Sequence, residues 1–161
     1  MTEAILTPSK LWRRLTGEQR LRIADVFWRD EQATDDQIQA VMLIAQQKKF
    51  RPKYVLSLDE ERKAKHLAAM LTLPETVAAR ALVIYHMAEQ RPMMGAFLDA
   101  LGIKHEDGVI DDEAVKPEAE KIGPAVAALK EQFPAGDVSL YLETLLSQDP
   151  ETWGALAEQV A

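Results

Sequence analysis

The chain has 161 residues, 47% of them hydrophobic and 28% charged, with a formal net charge of −7. This is the length of one domain with an ordinary globular composition, which excludes a disordered chain and allows about 70% of the extended-chain surface to be buried. The lack of cysteine excludes disulfides, thiolate metal sites and a cysteine nucleophile, and the acidic balance excludes a surface given over wholly to nucleic acid.

The N-terminal residues lack the basic stretch and apolar core of a signal peptide, and no segment is long and apolar enough to span a bilayer. A cytoplasmic location without a membrane partner is the expectation. Thr7 and Pro8 open a short helix, with Leu11, Trp12 and Leu15 on one side and Lys10, Arg13 and Arg14 on the other. Thr16 followed by Gln19 fits a capping box for a helix running to Arg29. Thr34 with Gln37 repeats the pattern, and Ile38, Val41, Met42 and Ala45 follow at the spacing of one helix face. Lys48 and Lys49 sit at its C-terminal end, where cations suit the helix dipole, and Arg51–Pro52 stops it. Ser57 with Glu60 reads as a third capping box, opening a helix with Leu67, Met70 and Leu71 inward.

From Pro74 to Leu101 lies the most apolar stretch. Its first helix is apolar almost all round, interrupted only by Arg80 and His86, so it reads as the central helix of a bundle. Pro92 starts the next helix, and Gly102–Ile103 closes that one as a Schellman pair. Residues 103–116 are irregular. A helix resumes near Pro117, with a kink or restart expected at Gly123–Pro124; Asp137 and Asp149 then cap the last two helices. No segment alternates with period two, so no sheet is expected.

These elements predict an all-α, compact bundle of about seven to nine helices. It is read as a single domain over 1–161, with an N-terminal subdomain 1–56 packed on a C-terminal bundle 57–161. Segments 74–101 and 117–145 resemble each other in outline, with prolines and apolar residues recurring at offsets of 42 to 44 residues, which reads as two tandem helical hairpins. Charge is uneven: residues 1–65 hold 13 Lys/Arg against 10 Asp/Glu, and residues 66–161 hold 6 against 16.

Arg80 has no carboxylate within one helical turn, so a buried Arg80 needs a carboxylate from another helix, such as Asp99 or Glu143, or a bound anion. With His86 it is the candidate for a ligand or anion site. Lys48, Lys49, Arg51 and Lys53, interleaved with Phe50 and Tyr54, form the concentrated basic patch. That composition can grip phosphates and stack bases, but Asp35 and Asp36 stand where a recognition helix would meet DNA, which argues against nucleic acid. The patch is instead expected to lie against acidic side chains of the C-terminal half or a second copy. Met93 and Met94, beside Met87, form a methionine group of the kind that adaptable binding surfaces use.

Asp107 to Asp111 match the middle of a calcium loop, but Ile103, His105 and Ala114 fall where its first, third and last ligands belong, so no metal site is expected. His66, His86 and His105 lack any metal-binding spacing. No nucleophile elbow, P-loop or dinucleotide fingerprint is present, and no cofactor is implied. The residues therefore lean away from an enzyme, towards a non-catalytic cytoplasmic helical interaction module (an adaptor or regulatory protein) binding a partner protein or itself. A ligand-binding or enzymatic bundle with a polar cavity around Arg80 and His86 is the alternative. Nucleic-acid binding through the basic N-terminal third comes after it.

Overall fold

The computed structural model describes residues 6–110 and 115–160. They form an all-α fold in which one two-stranded ladder is the departure from helix. Helix α1 (Pro8–Arg14) starts where Thr7 Oγ1 accepts the Lys10 amide at 3.2 Å, with proline in the first turn. In α2 (Gly17–Arg29) the expected capping box is complete: Gln19 N–H donates to Thr16 Oγ1 at 3.1 Å, and Thr16 N–H to Gln19 Oε1 at 2.9 Å.

Two other caps differ from the reading of the sequence. Helix α3 (Thr34–Lys48) begins one residue early, so Ala33 is its cap and Thr34 bonds nothing there. Gln37 reaches back instead, its amide donating to the carbonyls of Phe27 at 2.9 Å and Asp30 at 2.7 Å. Ser57 ends a short helix, α4 (Pro52–Ser57), and Asp59 caps α5 (Glu60–Ala69) by accepting the Arg62 amide at 2.8 Å. An aspartate next to the first turn outcompetes a serine two residues further out.

The chain divides into two compact units, Thr7–Tyr85 and a second from His86 onward. The division falls inside α6 (Glu75–Glu89) rather than near residue 56, because α5 packs along α2 and so belongs with the N-terminal helices. In the first unit, Trp12 Nε1 donates to Met70 O at 2.7 Å and Ser9 Oγ to Leu73 O at 2.7 Å, tying α1 to the segment that follows α5. Around α6, Val77, Ala78, Ala81, Leu82 and Tyr85 are buried, while Thr76 and Arg80 mark its outward line.

The second unit holds α7 (Arg91–Leu101), α8 (Ala119–Gln132) and α9 (Ala135–Gln148). Gly102 closes α7 at φ 72°, and Ile103 N–H donates to Leu98 O at 2.9 Å, the Schellman geometry that the sequence predicts. α8 runs through Gly123–Pro124 without a restart, and α9 begins at Ala135, which puts Asp137 in its first turn rather than at its cap. Asp149 caps α10 (Pro150–Trp153), and a 3₁₀ turn separates it from α11 (Ala157–Val160). Met93, Phe97, Leu98, Leu129, Tyr141, Leu142 and Trp153 belong to one buried cluster. Helix α7 packs against α8, and α8 against α9.

Between α7 and α8, β1 (His105–Glu106) pairs antiparallel with β2 (Val109–Ile110). Two residues a side are too few to show period two in a sequence, which is why no sheet was expected there.

Candidate functional site

The corner between α3 and α4 gathers the basic patch. Helix α3 closes on Lys49 at φ 59°, and the amides of Lys49 and Phe50 both reach the Ala45 carbonyl. Glycine is the usual residue in that left-handed position, and a side chain there costs about 1–2 kcal/mol. Arg51 is extended and Pro52 opens α4, which turns the chain back so that Val55 and Leu58 are buried. Lys48, Lys49, Arg51 and Lys53 all face solvent, and among the described residues none of them makes an ion pair.

Apolar groups accompany the charges. Phe50 is half-buried, its ring edge-on to Tyr54 at 5.0 Å and to His66 at 5.9 Å. Tyr54 is 50% exposed and Leu56 54%. On α3, Ile38 and Met42 stand one turn apart at 51% and 53% exposure, because the inward face of that helix is Ala40, Val41, Ile44 and Ala45. The sequence reading missed Leu56 and put Ile38 and Met42 on the inside. Val41 and Ala45 of the expected face are buried, and Ala40 and Ile44 join them in place of Ile38 and Met42.

Arg80 is not a buried arginine. It lies on the outward line of α6, half-exposed, and pairs with Asp36 of α3 at 3.5 Å, not with Asp99 or Glu143. His86 is buried, and its ring packs 5.5 Å from that of Tyr141, whose phenol is pushed up from its ordinary value by burial. Six residues apart on one helix, Arg80 and His86 point about 120° away from each other, so they do not converge. Met93 is fully buried in the core cluster and cannot meet a partner; Met94 is half-buried, with its Cβ against the turn at Gly108.

That turn carries the residues of the rejected calcium register. Asp107 and Gly108 both have positive φ, 51° and 88°, the signature of a tight hairpin turn. Gly108 N–H donates to His105 Nδ1 at 3.0 Å, so the proton sits on Nε2, which donates to Asp99 Oδ1 at 2.7 Å. With both ring nitrogens engaged, His105 is a structural tie. Arg91 adds a bond from Nη1 to Asp107 O at 3.1 Å. Asp111, Glu113 and Ala114 lie outside the described residues. Among the described residues no group of three His, Cys, Asp or Glu is placed to hold a metal ion, and no helix is long and apolar enough to cross a membrane.

A groove of about 360 Å³ runs between α2 and α5, floored by Leu21 and Ala64 and rimmed by Glu18, Arg22, Asp25, Glu61 and Lys65. Asp25 is held by Arg29 at 2.8 Å and Glu61 by Lys65 at 3.2 Å. No nucleophile and base meet in it. No known protein family, curated protein or solved structure matches the chain.

Proposed function

We propose that this protein is a non-catalytic helical interaction module that docks a protein partner on the α3–α4 corner. The observation that carries this reading is the pairing of four exposed cations, without an ion pair among the described residues of their own unit, with exposed Tyr54 and Leu56 on one short stretch of chain. Between Gln46 and Leu58 there is no carboxylate. Apolar anchors ringed by charge are the composition of a protein-binding patch, where the anchors supply affinity and the charges orientation. The reading does not extend to Met93, which the core occupies.

The test is an interaction screen run in parallel on wild type and on Tyr54→Ala/Leu56→Ser, after confirming that the two melt alike. A defined protein bound by wild type and lost by the variant supports the reading. Binding that survives the variant and is competed only by RNA or DNA would defeat it in favour of nucleic acid held by the lysines.

A further inference from the structure

The basic corner and a strongly acidic surface belong to the same chain. Thr7–Tyr85 carry 14 Lys/Arg against 10 Asp/Glu, net +4, and residues from His86 onward carry 5 against 15, net −10. The division by charge thus coincides with the division by packing. Within the basic unit the excess is concentrated, since Lys48, Lys49, Arg51 and Lys53 lie in a run free of carboxylates. Elsewhere in that unit, Arg29 pairs with Asp25, Lys65 with Glu61, Arg62 with Asp59 and Arg80 with Asp36.

Resting on the docking surface argued above, we propose that its partner is a second copy of this chain, whose acidic unit docks on the α3–α4 corner. Every copy brings both the patch and its complement, at equal concentration and without a second gene product. The cations orient the encounter and discriminate against like-charged surfaces, and Tyr54 and Leu56 supply area that leaves water on contact. Within their own unit the same cations make no ion pair among the described residues.

Lys49 gives a variant that is safe from misfolding. It holds a left-handed backbone that glycine adopts more easily, so Lys48→Gln/Lys49→Gly removes two cations while relieving the turn. Sedimentation of wild type should show a dimer at low salt whose dissociation constant rises about tenfold or more on moving to half-molar salt. Lys48→Gln/Lys49→Gly and Lys48→Glu/Lys49→Glu should both be monomeric in the buffer where wild type is dimeric, with melting temperatures no lower than wild type for the glycine variant. Lys48→Arg/Lys49→Arg should keep the dimer. Zero-length carbodiimide coupling in an equal mixture of isotopically light and heavy chains then reads the contact itself. Mixed-isotope links from Lys48, Lys49 or Lys53 to carboxylates beyond His86 are expected.

A wild type that stays monomeric at low salt and high protein concentration overturns the second-copy proposal, and leaves the docking surface to the partner screen. A dimer indifferent to salt and to both lysine variants overturns it as well, by placing the interface elsewhere. So do links found only within one isotope, which would mean that the corner folds back on its own chain. Retention of RNA by a monomer, lost on Lys48→Glu/Lys49→Glu, would replace it with the nucleic-acid reading.

Discussion

Trp12 and Trp28 are both buried in the first unit and differ in what the indole nitrogen meets. Trp12 Nε1 donates to Met70 O at 2.7 Å, whereas the Trp28 N–H has no acceptor among the described residues and its ring lies under Lys63 Nζ at 5.1 Å. Trp12→Phe leaves a buried carbonyl without its donor. Trp28→Phe removes a donor that was already unsatisfied. Urea titration should show Trp12→Phe costing about 1–2 kcal/mol more than Trp28→Phe; equal costs would mean that the Met70 bond contributes little. Tyr141 gives a pH dependence of definite sign. Burial raises its phenol above the ordinary value of 10.0 in the folded chain only. Above that pH the unfolded chain has released the proton that the folded chain keeps, so stability is fully present below it and falls as pH rises. The slope is about 1.4 kcal/mol per pH unit. Tyr141→Phe keeps the ring against His86 and Phe97 and removes this slope, so wild type and variant should diverge in melting temperature only in alkaline buffer.

Helix ends show how far local chemistry could be read along the chain. Thr16, Gly102 and Asp149 do what their sequence context predicts, because each acts within a few residues of itself. Thr34 has the same spacing to a glutamine as Thr16 and caps nothing, since Gln37 is drawn to carbonyls at the end of the preceding helix. Thr16→Ala should therefore cost about 1 kcal/mol in denaturant titration, and Thr34→Ala close to nothing. Equal effects would show the two caps to be equivalent in solution. The all-helical class was legible because hydrophobic period and capping agree over most of the chain. The exposure of Ile38, Met42 and Leu56 was not, because which side of a helix is covered depends on neighbours far away in sequence. Of the candidate site, the four cations and Tyr54 were visible as a cluster, while Arg80 was misplaced by assuming that apolar neighbours imply burial. A single outward line on an otherwise covered helix is enough to carry one arginine.

At the scale of the whole chain, charge and packing divide at the same place, before the last turn of α6, and nothing in the sequence marks it. Domain edges are sought in loops rich in proline, glycine or polar residues. Here the edge is an unbroken helix with Leu82, Tyr85 and His86 all buried, so its residues look like core because they are core, on both sides of the edge. A helix held in common sets a rule for how the protein can be divided. A cut between Tyr85 and His86 leaves His86–Glu89 as a stub far shorter than a helix can sustain alone, and strips the first piece of its last turn. Pieces 7–85 and 86–160 should thus show little helix by circular dichroism when made separately. Pieces 7–89 and 75–160 should each recover it, because the helix has been copied into both. Any gene fusion or split reporter built on this protein would have to duplicate those fifteen residues rather than choose a side.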